Sequence, residues 1–428
     1  MTAAPLRVGF VGMTHLGINS AVATAARGCE TVCFDPDPAV IARLAAGDMI
    51  VVEPDLDHLA GEHRARLTWT AEAGRLATCD VVYVAPDVAT DDQGASDLGT
   101  LDRLIGVAAA AIRPDCVLVV LSQVPPGFTR QRQRPGLLLH YQVETLVFGR
   151  AVERAMHPER FIVGCADPER PLPSALAAYL GLFGCPILPM AFESAELTKI
   201  AINCCLVASI SVANTLAEIC EGIGADWSEI APALKLDRRI GQFSYLAPGL
   251  GIAGGNLERD LATIVDISER IGSDAGVVRA WIHNSRHRRD WAARTIRRVL
   301  LDAKPSARVA VWGLAYKENT HSVKNSPSLA TIAALGAANL ILHDPVVEGV
   351  PVANPNAVRG TDALAMLADA EALMILTPWP AYRDLGAARI AERLAGRIVL
   401  DPYQVLDRQA ARVAGLIHHT LGRAPLAS

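Results

Sequence analysis

The segment Leu6-Arg7-Val8-Gly9-Phe10-Val11-Gly12-Met13-Thr14-His15-Leu16-Gly17 decides how the rest of the chain is read. An apolar run ends at a glycine, and an Ala-rich stretch with helical character continues to about Arg27. A second apolar run, Glu30–Phe34, closes on Asp35. Strand, glycine turn, helix, strand, acid is the order of a dinucleotide-binding βαβ unit. In such a unit Gly12 makes the tight turn, and the helix N-terminus around Thr14, Leu16 and Gly17 faces a pyrophosphate. Asp35 then accepts from the ribose hydroxyls and favours NAD over its 2′-phosphorylated form. The middle glycine of the fingerprint is Thr14 here, and its side chain narrows the approach to a phosphate. Asp35 also opens an Asp-Pro-Asp-Pro run, in which a plain turn carboxylate is the other reading.

The alternation continues outward from that unit. Val81–Ala85 and Val117–Leu121 have the uniformly apolar composition of strands covered on both faces. The loops after them, through Pro86 and through Ser122 and Gln123, fall at the end of a parallel sheet where ligands bind. Lys304-Pro305-Ser306 reads as a linker, and a second α/β unit follows with strands at Arg308–Trp312, Leu340–His343, Ala372–Leu376 and Ile398–Leu400. From about Arg412 the tail shows no further element. The expected fold is therefore α/β, with two Rossmann-like doubly wound domains at residues 1–193 and 304–428. A long central helical region, residues 194–303, joins them.

With 428 residues, 51% hydrophobic and 5% aromatic at a net charge of −5, the chain has ample core for several domains. That balance excludes the charge signature of a nucleic-acid or acidic-membrane binder. Eighteen uncharged residues lie between Lys199 and Glu218, enough to approach a membrane span. Asn203, Ser209, Ser211, Asn214 and Thr215 interrupt them, and the expectation is a helix buried in a core or a subunit interface. Nine cysteines lack metal-ligand spacing, so no metal is expected and the thiols read as reduced. The N-terminus MTAAPLRVGFVG lacks a basic, apolar, cleavable pattern, and a cytoplasmic location is expected.

The chemistry-bearing stretches are spread along the chain. Ser122-Gln123-Val124-Pro125-Pro126-Gly127 fixes one loop shape through its prolines and glycine. Gln142-Val143-Glu144 precedes His157-Pro158-Glu159-Arg160, and Ala195-Glu196-Leu197-Thr198-Lys199 leads to Asn203. Lys199 and Asn203, four apart, share a helical face, though a snorkelling Lys stem is the plainer reading of the first. Glu144 alone reads as a solvated side chain. Pro248-Gly249-Leu250-Gly251-Ile252-Ala253-Gly254-Gly255-Asn256-Leu257-Glu258-Arg259-Asp260 holds four glycines in seven residues, a density suited to close backbone approach or to an ordinary surface loop. Asp237-Arg238-Arg239-Ile240-Gly241, Gly313-Leu314-Ala315-Tyr316-Lys317 and His321-Ser322-Val323-Lys324 complete the set.

Along nearly its whole length this pattern resembles the nucleotide-sugar dehydrogenases, the UDP-glucose and GDP-mannose dehydrogenases. The resemblance implies NAD as cofactor, a nucleotide-sugar substrate oxidised at C6, and a homodimer built on the long helix. It places Glu144, Lys199, Asn203, Asn256 and Asp260 at the catalytic positions. Gly12, Thr14, Leu16, Gly17, Asp35, Pro86, Ser122, Gln123 and Lys324 fall on the cofactor. Arg239, Gly251, Gly254, Gly255 and Lys317 fall on the substrate, with Arg239 reaching into the neighbouring subunit. The departures are specific. The family's glycine loop ends in Gly-Gly-Ser-Cys, and its nucleophilic Cys is Asn256 here. The Thr that helps hold its catalytic water is Gln123, and Lys324 offers phosphate a point charge in place of an Arg fork.

An amide is not a useful nucleophile, so Asn256 cannot form the thioester of the second oxidation step. Three outcomes stay open. One is a dehydrogenase that stops at the aldehyde or oxidises its hydrate without a covalent intermediate. Another is a redox-neutral, epimerase-type enzyme that returns the hydride. The third is a catalytically silent binding or partner subunit.

Overall fold

Val81–Val84 and Val117–Val120 are buried at every position because alternate side chains enter different cores. Val81, Tyr83, Val117 and Val119 join Val8 and Phe10 on one face, while Val82, Val84, Leu118 and Val120 join Val11 on the other. Helices cover both faces, the arrangement that uniformly apolar parallel strands require. The computed structural model describes residues 5–90, 96–253 and 256–425. The chain divides into two compact units, Met1–Ile202 and Asn203–Ser428.

The strands of the first unit are β1 (Arg7–Val11), β2 (Glu30–Phe34), β3 (Leu67–Thr70), β4 (Val81–Val84), β5 (Ala89–Thr90), β6 (Ser96–Asp97), β7 (Val117–Val120), β8 (Leu138–Gln142), β9 (Phe161–Cys165) and β10 (Ile187–Ala191). Eight of them form one sheet in the order β10-β9-β8-β7-β4-β1-β2-β3, parallel throughout except for β8 against β9. β5 and β6 make a small antiparallel pair, and residues 91–95 between them lie outside the described residues. β1 leads into helix α1 (His15–Ala26) and pairs with β2 on one side and β4 on the other. The strand order reverses at that point, and the crevice at the strand ends there is the doubly wound fold's ligand position.

The second unit carries β11 (Arg308–Trp312), β12 (Asn339–His343), β13 (Val358–Arg359), β14 (Ala372–Ile375), β15 (Ile398–Leu400) and β16 (Ile417–His419). They form a fully parallel sheet in the order β13-β12-β11-β14-β15-β16. β16 corrects the expectation that the tail is featureless. Its residues include His418 and His419, both buried, so no apolar run marks it in sequence. His418 Nε2 lies 3.2 Å from the Asp401 carboxylate, and burial with nearby Arg298 pushes His419 down to about 4.

The uncharged stretch lies in a 32-residue helix, Phe192–Ile223, that ends at Gly224 in a left-handed conformation (φ +80°). Among the described residues it is the one helix long and apolar enough to cross a membrane by length and composition. Within the single chain the helix is not covered on every side. Val212, Leu216, Ile219 and Ile223, spaced along one face, are all exposed within the single chain.

Candidate active site and cofactor cradle

In the first unit the turn after β1 is fixed from three sides. Gly12 has φ +94°, and its N–H donates to Phe34 O at 2.9 Å. A Cβ on Gly12 would meet Pro86 N at 2.9 Å, and one on Gly17 would meet Gly12 O at 2.0 Å. Both glycines are therefore demanded by close packing of α1, β1 and the loop after β4. The Asp35 carboxylate accepts from Met13 N–H at 2.8 Å and from Asp37 N–H at 3.0 Å. The turn reading of Asp35 is thereby seen directly, in a residue that follows the end of β2.

The N-terminus of α1 is engaged by the chain's own groups. Asp87 Oδ2 accepts from His15 N–H at 3.0 Å, and Leu16 N–H also faces this carboxyl. Thr14 Oγ1 accepts from Asp87 N–H at 2.8 Å. Asp87 is exposed as a residue, yet desolvation around its carboxyl raises the pKa against the pull of His15 and the N–H donors. Behind it, His15 Nε2 lies 2.7 Å from Glu53, which also accepts from Gly149 N–H and Ala151 N–H. Burial opposes ionisation of Glu53, but these partners outweigh it and lower the pKa. Phe148 stacks on His15 with ring centres 4.0 Å apart.

Ser122 is fully buried and donates to Pro86 O at 2.5 Å, tying the loops after β4 and β7 together. Gln123 next to it is half-buried. Glu196 holds the Val-Pro-Pro-Gly loop by accepting from Gly127 N–H at 2.5 Å and Thr129 N–H at 2.8 Å. Sequence reasoning passed over Glu196 as part of a longer motif. A carboxylate in the first turns of a helix that is otherwise apolar was the available signal. Lys199 Nζ pairs with Glu144 Oε2 at 2.9 Å and donates to Glu144 O at 3.0 Å. Their side chains are only 12% and 15% exposed, so neither is a solvated or snorkelling group.

In the second unit, Asn203 Nδ2 donates to Asp260 Oδ2, and Arg259 Nε lies 3.4 Å from the other oxygen. All three residues are buried. The glycine loop is anchored at both ends. Asn214 Oδ1 accepts from Gly249 N–H, and Ser285 Oγ accepts from Ile252 N–H, each at 2.8 Å. Gly251 has φ +72°, and a Cβ there would lie 2.3 Å from Ser285 O. Gly254 and Gly255 lie outside the described residues. Asn256 follows as the first residue of helix Asn256–Ile271 and is exposed.

Most of the described thiols are buried. Burial, with Asp260 nearby, pushes Cys204 up to about 11, so it stays protonated. Burial likewise raises Cys29 to about 11, Cys79 and Cys116 to about 12, and Cys33, Cys165, Cys185 and Cys220 above their ordinary value. Cys205 is exposed on the helix.

The remaining predicted contacts scatter over the second unit. Asn325 donates to Glu258, which also feels the charge of Lys324. Lys317 is half-buried, with its ammonium 5.6 Å from the Tyr316 ring centre. Arg239 is exposed and paired with Asp237 at 2.6 Å. The turn after β11 repeats the turn after β1. Gly313 has φ +95°, its N–H donates to His343 O at 2.8 Å, and Asp344 accepts from Leu314 N–H at 2.6 Å and Ala315 N–H at 3.1 Å.

Residues 6–178 match the NAD-binding domain of the UDP-glucose/GDP-mannose dehydrogenase family, residues 193–286 its central domain, and residues 310–408 its UDP-binding domain. The chain belongs to the UDP-glucose/GDP-mannose dehydrogenase family. The UDP-glucose 6-dehydrogenase TuaD of Bacillus subtilis is 27% identical over 97% of this chain and 93% of its own length. The UDP-glucose 6-dehydrogenase of Pseudomonas aeruginosa is 27% identical over 98% of both chains. The UDP-glucose dehydrogenase of Pyrobaculum islandicum superposes with a TM-score of 0.82 at 25% identity, covering 99% of each chain. The UDP-D-ManNAc dehydrogenase of Pyrococcus horikoshii shares the fold, with a TM-score of 0.83 at 22% identity over 98% and 99%. This member of the dehydrogenase family is thus an oxidoreductase with an NAD-binding domain and a UDP-binding domain.

The described residues fit a dinucleotide at the glycine turn and at Asp35. At the N-terminus of α1 they present a carboxylate where a pyrophosphate would need donors.

Proposed function

We propose that this dehydrogenase performs a two-electron oxidation at the C6 hydroxyl of a UDP-sugar and releases the product without a thioester. The observation that carries the reading is the pairing of Lys199 with Glu144 and of Asn203 with Asp260, kept while the nucleophile position holds Asn256. NAD⁺, when bound, supplies the hydride acceptor. Lys199 places an ammonium beside the oxygen on which negative charge develops, and its tether to Glu144 O keeps that ammonium in one position. Glu144, already in contact with Lys199, is the proton acceptor. In the second unit, Asp260 accepts from the Asn203 amide and fixes its orientation. Cys204, the thiol closest in sequence to Asn203 and held up at about 11 by burial, offers the aldehyde no thiolate.

The exposed face Val212, Leu216, Ile219 and Ile223 supports a homodimer covering it. A second reading, a member that binds the nucleotide sugar without oxidising it, draws support from the Asp87 carboxylate on α1.

Incubation with UDP-, GDP- and TDP-sugars and NAD⁺, followed by mass analysis of products, tests the proposal. One NADH and one aldehyde per UDP-sugar are expected. Two NADH with a uronic acid overturn the two-electron outcome, and a returned hydride with an epimerised sugar replaces it by the redox-neutral reaction.

A further inference from the structure

We infer that Asp87 is a built-in anion standing in for the cofactor's pyrophosphate, so that NAD⁺ binds only when its carboxylate leaves the N-terminus of α1. The inference rests on the NAD-binding domain and not on the sugar chemistry proposed above.

A helix N-terminus binds phosphate because its first N–H groups lack intrahelical partners and carry partial positive charge. Here Asp87 uses that position, accepting from His15 N–H at 3.0 Å and facing Leu16 N–H. The geometry also explains Thr14. Its hydroxyl oxygen accepts Asp87 N–H at 2.8 Å and sits 3.4 Å from Ala85 O, so it fastens the loop that carries the carboxylate. A glycine at position 14 has no atom to do this. The two unusual residues of this cradle, far apart in sequence, therefore form one device.

Further back the cradle is equally committed. His15, the first helical residue, is turned to the buried Glu53, which is itself filled by Gly149 N–H and Ala151 N–H. The imidazole is thus directed away from a phosphate. A diphosphate entering the crevice meets the Asp87 charge and finds its donors taken. Both effects disappear if the carboxylate becomes an amide, while the turn is preserved, since an amide oxygen can still accept from His15 N–H.

The test is calorimetric binding of NAD⁺, ADP and adenosine to the full-length wild-type protein and to Asp87→Asn. The expected result is that Asp87→Asn binds NAD⁺ and ADP at least about tenfold more tightly, while adenosine, lacking phosphate, changes less than about twofold. Thr14→Gly, which releases the loop without removing the charge, tightens NAD⁺ by a smaller factor and carries the test if Asp87→Asn fails to fold. Equal NAD⁺ affinity in wild type and both variants overturns the inference. So does a parallel change for adenosine, which would show that the substitution reshapes the crevice generally. Because no sugar or turnover enters the measurement, its result is independent of which reaction the enzyme performs.

Discussion

The side-chain amide of Asn203 donates to the carboxylate of Asp260, whose second oxygen faces the guanidinium of Arg259. The arrangement commits Asn203 to one rotamer. Replacing Asn203 by Ala removes a donor from a buried carboxylate, which costs about 1–3 kcal/mol. Urea unfolding should show that loss, and turnover should fall more than affinity for the nucleotide sugar does. Unchanged kcat in a folded Asn203→Ala protein would restrict the pair to a structural role.

How much of this was legible beforehand differs by element. β2, β11 and β15 were placed to the residue because uninterrupted β-branched and apolar runs bounded by Gly, Pro or Asp leave little choice. β16 was invisible, since its two buried residues are histidines, and the contact of His418 with Asp401 is one that no local pattern encodes. Lys199 and Asn203 were found through the resemblance, with their spacing on one helix as support. The partners that hold them were recognised as candidates, but their pairing depends on long-range contacts. Asp87 was read only as part of a loop, because its significance is its distance from His15 N–H, 72 positions away.

Gly251 offers a test of the anchored glycine loop. Alanine there meets Ser285 O at 2.3 Å and must also adopt φ +72°. The change should destabilise the protein by about 1–3 kcal/mol. Gly61→Ala, whose Cβ would point into open space on a helix, is the control and should be neutral or slightly stabilising. Equal melting temperatures for the two variants would contradict the tight approach of the loop to Ser285.

Thiol chemistry tests the proposal that no cysteine acts as nucleophile here. At pH 8 iodoacetamide should leave turnover unchanged, because burial holds Cys204 up at about 11 and raises Cys29, Cys79 and Cys116 likewise. Inactivation at a rate matching modification of a single cysteine would place a thiol in the mechanism after all.

The apolar face of the long helix leads to a prediction about assembly. Light scattering at micromolar concentration should give twice the chain mass of 45.5 kDa. Ile219→Arg, in the middle of the exposed row that includes Leu216 and Ile223, should shift the protein to monomer without unfolding it. A wild-type monomer would leave that row without a proposed occupant.

Cofactor choice follows from Asp35 at the end of β2. A carboxylate there repels a 2′-phosphate, so NAD⁺ should bind at least about tenfold more tightly than NADP⁺ in direct titration. Equal affinities would mean that Asp35 acts only on the backbone.

The clamped turn occurs twice, with Gly12 and Asp35 in one sheet and Gly313 and Asp344 in the other. For anyone wishing to re-engineer this enzyme, the duplication is a warning. The usual exchange of the acid after the second strand, made to switch nucleotide preference, would here unfasten Met13 N–H and Asp37 N–H together. If Asp35 sets nucleotide preference as proposed, that preference cannot be retuned there without a compensating acceptor for the turn. Asp344 makes the same demand in the second sheet, where it also receives the Trp379 indole N–H at 3.1 Å.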